Sequence, residues 1–401
     1  MTVKIEKSKA FGRIMAPPSK SMAHRYLICG AFSKGSEIDK IAFSEDIKAT
    51  LYCLECLGAV INIQNNKVKI GGLDINKKVK KATLFCGESG STLRFLLPIC
   101  LLFDQKIKLR GSERLFARSL SVYEELCKSL GFDFMQDKDS VIVKGKLLSG
   151  KYSVRGDISS QFISGLMFAL AQLEGDSEIN ITGKIESDSY LNLTIKAFAD
   201  FGVRISRIDE RTIYIKGGQK CKGKKLTVEG DYSNSAFLEA LNVFGGNVII
   251  KGLDSNSAQG DKIYSKVFAD LVKGKPTVDI SDSPDLAPVL MAVAAAENGA
   301  VFTGTKRLKI KESDRGEAMK TELFKFGCNV VVEENKITVN KGKLHKAESP
   351  ILSHNDHRIV MATAILGTLT GCEILGAEAI NKSFPDFFEK LISLGIKVSY
   401  L

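Results

Sequence analysis

The segment Arg307-Leu-Lys-Ile-Lys311-Glu312-Ser-Asp314-Arg315 places six ionisable groups within nine residues. Such a run is commonly a solvated surface turn, but two other clusters share its character. Asp282-Ser-Pro-Asp285 and Asp356-His357-Arg358 each stand directly before a strongly apolar run. A carboxylate at the start of a buried helix is favoured by the helix dipole, yet a single buried charge needs a partner or a task. Acid–base chemistry is one such task. Lys20, Arg25, Arg94, Lys311, Arg315 and Arg358 occupy related positions near the beginnings of apolar stretches, together with capping serines. One serine there is ordinary capping. Basic side chains added to the free N–H groups of several helix starts make a site for phosphate or carboxylate.

Metal and thiol chemistry have weaker signals. His354 and His357 flank Asn355-Asp356 without a clear third ligand, and zinc sites use three or four protein ligands. Contact of His357 and Arg358 with an anionic substrate suits the surroundings better. Cys53 and Cys56 form a lone C-x-x-C within Leu51-Tyr-Cys-Leu-Glu-Cys-Leu, which reads as buried helix. The nine cysteines are an odd count scattered through apolar segments, as expected of reduced thiols.

The elements that must position these residues recur. A helical segment ending in glycine, followed by a strand-like run, closes at Gly58, Gly131, Gly202, Gly274, Gly327 and Gly395, separated by 73, 71, 72, 53 and 68 residues. The fourth copy, Leu271–Gly274, is degenerate. The period predicts six units of roughly 70 residues. Each unit also holds a second, far more apolar helix. These begin near Ser19-Lys20-Ser21, Ser89-Gly90-Ser91, Ser159-Ser160-Gln161, Tyr232-Ser233-Asn234, Ser283-Pro284-Asp285 and Asn355-Asp356-His357. A helix apolar on every side must be buried, yet each of these starts is strongly polar. Six units divide as three and three. If the halves face each other with these starts inward, the cleft between them traps small phosphorylated anions.

The bulk numbers agree. At 401 residues, with 44% hydrophobic and 26% charged residues, the chain predicts two folded domains. The net charge of +11 suits an anionic partner without choosing among nucleic acid, acidic membrane and phosphorylated metabolite. Lysine runs such as Lys220-Cys-Lys222-Gly-Lys224-Lys225 read as solvated turns. No apolar run approaches the roughly 20 residues needed to span a bilayer, and the N-terminus lacks an apolar signal core. A cytosolic protein without a targeting segment is expected.

At this point the chain resembles the EPSP synthase family of enolpyruvyl transferases over essentially its whole length. The likeness rests on Pro18-Ser-Lys-Ser-Met-Ala-His-Arg25, Gly87-Glu-Ser-Gly-Ser-Thr-Leu-Arg94, Ser159-Ser-Gln161, Ser281-Asp-Ser-Pro-Asp-Leu286, the Arg307–Arg315 segment, Asp356-His-Arg358 and Lys382-Ser-Phe-Pro385. The resemblance implies an α/β fold, a two-domain inside-out α/β barrel. Each domain would hold three repeated β-α-β-α-β-β units with buried helices. It implies one lobe of residues 17–228 on the shikimate 3-phosphate side, and one of residues 1–16 plus 229–401 carrying the phosphoenolpyruvate side and acid–base groups. The active site would lie in the interdomain cleft. It further implies transfer of the enolpyruvyl group of phosphoenolpyruvate to the 5-hydroxyl of shikimate 3-phosphate, with no metal or organic cofactor. The protein would be a monomer with neither nucleic-acid nor membrane partner.

Residue by residue, Ser21, Arg25, Ser159, Ser160, Ser187 and Tyr190 resemble the shikimate 3-phosphate contacts, joined by Lys311. Gly90, Arg118, Arg315, His357, Arg358 and Lys382 match the phosphoenolpyruvate side, while Lys20 and Gln161 match positions that touch both substrates. Asp285 matches the group that takes the 5-hydroxyl proton, and Glu312 and Lys20 match the groups that protonate the methylene carbon. Departures from the family pattern are Glu88 for Asn or Asp, Ser91 for Thr, Phe95 for Pro or Leu, and Ser189 for a Pro, the last expected to loosen the turn before Tyr190. Two rivals follow from the same features. The sister transferase acting on UDP-N-acetylglucosamine typically carries a reactive cysteine where the Gly111–Ser119 loop has none. An RNA-binding or RNA-processing protein on such a repeat would need interleaved aromatic and basic residues, and none are evident.

Overall fold

Six apolar helices form the inside of the molecule, and their capping explains where each begins. Ser19, Ser89 and Ser159 accept backbone N–H bonds at the starts of Lys20–Ala31, Gly90–Cys100 and Ser160–Leu170. Asp231 and Asp356 do the same for Tyr232–Val243 and His357–Thr370, whereas Ala287–Ala296 is entered through the 3₁₀ turn Pro284–Leu286. Beyond their first turns these helices are buried nearly all round, and each buried Leu, Ile or Phe contributes about 1.5–3 kcal/mol.

The structure is a computed structural model describing residues 1–401. It forms two units, Pro18–Glu229 and the combination of Met1–Pro17 with Gly230–Leu401. Each unit contains three of the inner helices. In the first, the rings of Phe95, Phe168 and Phe198 make a chain at 5.3 Å spacing. The helices Gly90–Cys100 and Ser160–Leu170 touch where Gly165 lies against the Arg94 carbonyl and the Tyr123 hydroxyl; a Cβ there would sit 2.2 and 2.3 Å from them. In the second unit, the rings of Phe384, Phe387 and Phe388 meet edge to face at 5.5 and 5.4 Å.

The sheets lie outside these helices and do not close on themselves. Five have four strands in one shared order, illustrated by Thr83–Phe85, Ile107–Arg110, Ser140–Lys144 and Asp133–Gln136. The first two strands pair in parallel around an inner helix, and the last two form an antiparallel hairpin after an outer helix. Strand burial alternates, as in Ser177–Thr182, so one face covers the helices and the other meets solvent.

Strands distant in the chain complete three of the six units. Lys225–Thr227 pairs in parallel with Ser36–Asp39, matching Leu226 to Ile38. Thr2–Ile5 pairs antiparallel with both Cys372–Leu375 and Val398–Tyr400, so the N-terminal strand belongs to the C-terminal half. Phe11–Met15 pairs in parallel with Asn247–Lys251 in a two-stranded sheet. This fourth unit lacks the antiparallel strand pair found beyond the outer helix in the other units. The missing hairpin explains the short 53-residue interval: Tyr264–Lys273 leads through Gly274 directly to Thr277–Asp279. Gly274 has an extended φ of 176°, whereas Gly131, Gly202 and Gly327 end their helices in left-handed backbone. The Gly111–Ser119 segment, expected as a loop, contains the short helix Glu113–Ala117 capped by Ser112. No helix is long and apolar enough to cross a membrane. All nine cysteines are free and buried.

Candidate active site

In the unit of residues 230–401, the three charged clusters of the sequence meet. Asp285, in the 3₁₀ turn before its helix, accepts Lys311 Nζ at 3.1 Å and Arg315 Nη1 at 2.8 Å on one oxygen. Its other oxygen accepts Arg358 Nη2 at 3.2 Å, and Arg358 Nη1 donates to the Asp285 carbonyl at 3.0 Å. Arg315 is buried at the start of the helix Arg315–Phe324 and also donates to Glu312 at 2.8 Å and to Asp356 at 2.9 Å. Asp356, fully buried, accepts from the Arg358 backbone N–H and the Ser313 hydroxyl as well. The Arg307–Arg315 segment is therefore no solvated turn: Arg307, Ser313 and Arg315 are all buried.

The electrostatics follow from these contacts. Burial opposes the charge on Asp285, but Arg358, Lys311 and Arg315 outweigh it and hold the carboxyl well below its ordinary range. Burial likewise opposes the Arg315 cation, and Asp356, Glu312 and Asp285 outweigh it and raise its pKa. Lys311 has the opposite balance. Burial dominates over the attraction of Asp285, and its pKa is lowered to about 8. Lys382 donates to the Asn355 carbonyl at 2.6 Å, one residue before Asp356. His357 is buried beside Asp356, with Nδ1 3.8 Å from its carboxylate, while His354 bonds to Glu322; the two histidines face different partners.

In the unit Pro18–Glu229, the predicted residues gather in smaller groups. Arg94 Nη1 donates to the Gln161 side-chain oxygen at 2.8 Å, and Gln161 Nε2 donates to the Ser91 hydroxyl at 3.0 Å. These bonds orient the amide between two helix starts. The Arg118 guanidinium lies over Gly90, where a Cβ would be 2.9 Å from Nη1. Lys20 Nζ donates to Asp46 at 2.7 Å. Arg25 is buried and donates to the Thr194 hydroxyl and to the Ser21 and Tyr190 carbonyls at 2.7–2.9 Å. Its pKa is lowered to about 10 by burial. Arg25 thus ties Ser21 and Tyr190 together while resting over the Phe95 ring at 5.1 Å, which gives that unusual phenylalanine a supporting role. Ser159, Ser160 and Ser187 are buried, and Ser187 has a left-handed φ of 57°. In the turn before Tyr190, where Ser189 stands, Arg207 grips Asp188 with two bonds of 2.7 and 2.8 Å.

Sequence reasoning missed Asp46, Glu322 and the structural share of Asp356. Asp46 stands in the first turn of Glu45–Leu57, behind the cap Ser44, where an acidic residue needs no other explanation than the dipole. Glu322 carries no local signal at all, since it reads as one polar position on an ordinary outer helix.

Comparison with known proteins gives one answer. The family model described as EPSP synthase (3-phosphoshikimate 1-carboxyvinyltransferase) matches residues 5–391. A protein of Clostridium kluyveri named 3-phosphoshikimate 1-carboxyvinyltransferase is 39% identical over 415 residues, covering 98% of this chain and 97% of its own. One of the same name from Clostridium acetobutylicum is 40% identical, with the same coverage. The solved structure of EPSP synthase from Acinetobacter baumannii superposes with a TM-score of 0.80 over 100% of both chains at 22% identity, a likeness of fold. These findings favour neither the sister transferase nor an RNA-binding protein.

Proposed function

The chain belongs to the EPSP synthase family, and from that premise we propose that it transfers the enolpyruvyl group of phosphoenolpyruvate to the 5-hydroxyl of shikimate 3-phosphate, releasing phosphate. The observation that carries the chemistry is the convergence of Lys311, Arg315 and Arg358 on Asp285, with Glu312 on the same arginine.

In the first step the 5-hydroxyl oxygen bonds to the central carbon of phosphoenolpyruvate. Its proton leaves to Asp285, and a proton from Glu312 or Lys20 converts the methylene to a methyl group. In the second step the methyl group returns a proton, the double bond re-forms and phosphate departs. The two steps make opposite demands, which a matched acid and base meet by exchanging roles. The adduct carries a carboxylate and two phosphates, so clamping by arginine and lysine stabilises it more than either substrate. Arg118, Arg315, Arg358, His357 and Lys382, with the backbone at Gly90, are the proposed phosphoenolpyruvate contacts. Ser21, Arg25, Ser159, Ser160, Ser187, Tyr190 and Lys311 serve shikimate 3-phosphate; Gln161 and Lys20 serve both.

The ion pairs also supply a way to adjust the base. A carboxylate held by three cations is a weak proton acceptor, and the anionic groups of the substrates compete for the same donors. As Lys311, Arg315 and Arg358 turn to substrate, Asp285 loses counter-charge and its basicity rises. We read the protein as a cytoplasmic monomer, in keeping with its buried free thiols.

Incubation with both substrates, followed by phosphorus NMR, should yield the condensed product and inorganic phosphate. Absence of both from the wild type would end this reading. Asp285→Ala and Glu312→Gln should fold and lose turnover by roughly 10²–10⁴-fold each; wild-type rates in both would overturn the residue roles alone.

A further inference from the structure

His354 and Asn355 are consecutive non-glycine residues in left-handed backbone, with φ of 49° and 53°. L side chains rarely adopt that conformation singly, and a histidine is less suited to it than an asparagine. The pair stands in the turn between the strand Ile351–Leu352 and the helix His357–Thr370, directly before Asp356 and Arg358. Such a turn persists only where its surroundings hold it.

The hold comes from Glu322. Its side chain is fully buried, yet it carries a carboxylate. His354 Nε2 donates to Oε1 at 2.8 Å, and the Leu352 backbone N–H and Lys325 Nζ donate to Oε2 at 3.0 and 2.7 Å. Lys325 reaches on to the Pro350 carbonyl at 2.8 Å. Every one of these partners except Lys325 belongs to the approach into the turn. Glu322 follows Arg315 by seven residues, two helical turns, so both point from one face of Arg315–Phe324. Arg315 grips Asp356 after the turn, while Glu322 grips Leu352 and His354 before it. Between these two holds lies the Asn355 carbonyl, which receives Lys382 Nζ.

We propose that Glu322, through His354, is a positioning residue for Lys382 and Arg358, the groups assigned above to phosphoenolpyruvate, an inference that rests on that assignment. The bond to His354 keeps the two left-handed residues in place. That sets the direction of the Asn355 carbonyl, hence Lys382, and the cap at Asp356, hence Arg358. Glu322 itself touches no substrate.

The test begins with His354→Ala, because that side chain is 28% exposed and its removal leaves Glu322 the bonds from Leu352 and Lys325. The KM for phosphoenolpyruvate should rise roughly tenfold, as expected when a clamp is misplaced by a fraction of an ångström. The KM for shikimate 3-phosphate and the melting temperature should stay near wild type. Adding Asn355→Gly, which favours a positive φ, should recover most of the loss. Glu322→Gln should shift the same constant in the same direction. An unchanged KM in His354→Ala, or a loss that Asn355→Gly does not relieve, would overturn the proposal. Hydrogen–deuterium exchange separates this outcome from failure of the transferase reading. The backbone amides of residues 353–356 should exchange faster in His354→Ala and return toward wild type in the double variant, whether or not the protein makes product. Unaltered exchange would sink the role of Glu322 independently of activity.

Discussion

In the unit of residues 230–401, Asp285, Lys311, Glu312, Arg315, Asp356 and Arg358 form one continuous network of ion pairs, with Arg315 at its centre and almost no exposure. In the unit Pro18–Glu229, the same kind of inner-helix start instead presents hydroxyls, an amide and backbone N–H groups, with basic side chains set apart: Arg94 on Gln161, Arg118 over Gly90, Lys20 on Asp46. The scaffold is repeated, and the charge is not. A dense network neutralises itself, so its members are bound into the fold, and the acidity of Asp285 is set by three cations. Donors spread over several helix starts, each with its own local partners, can turn to an anion without dismantling one shared network. The first arrangement suits proton transfer beside a clamp, and the second suits recognition.

The largest effect that could break this comparison comes from Arg315. Arg315→Met leaves three carboxylates without their shared cation, a loss of about 3–5 kcal/mol when a buried pair is broken on one side. For a domain of this size that lowers the melting temperature by roughly 6–20 °C. Calorimetry of this variant beside Arg118→Met, whose melting temperature should fall less, measures the contrast; equal shifts would remove it.

A smaller effect tests the recognition side. Gly90→Ala puts a methyl group 2.9 Å from Arg118 Nη1, and the flexible end of that side chain must move. Steady-state kinetics should give a phosphoenolpyruvate KM about tenfold higher, near 1.4 kcal/mol, with little change in melting temperature. A wild-type KM would mean that Arg118 does not act from above Gly90.

The smallest effect is a pH dependence confined to Lys311, whose pKa burial lowers from 10.5 to about 8. Substrate affinity should fall severalfold from pH 7 to 9 as the ammonium loses its proton, and Lys311→Met should flatten that slope. The stability change has the opposite sign. The unfolded chain binds more protons than the folded one between pH 8 and 10.5, so stability from this group rises across that window. Isothermal titration at several pH values, with melting curves in the same buffers, would check both signs.

Much of the architecture was legible because its determinants are local. Ser19, Ser89 and Ser159 cap the helices that follow them, and the apolar runs behind them could only be interior. The 53-residue interval marked the irregular unit, but only the strand pairing identified a missing hairpin as its cause. The bond of Lys20 to Asp46, the twin bonds of Arg207 to Asp188 and the grip of Glu322 on His354 had no trace in the chain, since each joins residues 19 to 32 positions apart on different elements.

Residue order alone determined the repeat, the caps, the buried helices and the motifs that mark the family, because these depend on side chains within one or two turns of each other. Only the tertiary structure decided which strands complete each sheet, which cations share Asp285 and what holds the turn at His354. Burial sets those outcomes. Away from water, a charge or an unpaired backbone group must find whatever partner the fold brings within about 3 Å, however distant in sequence.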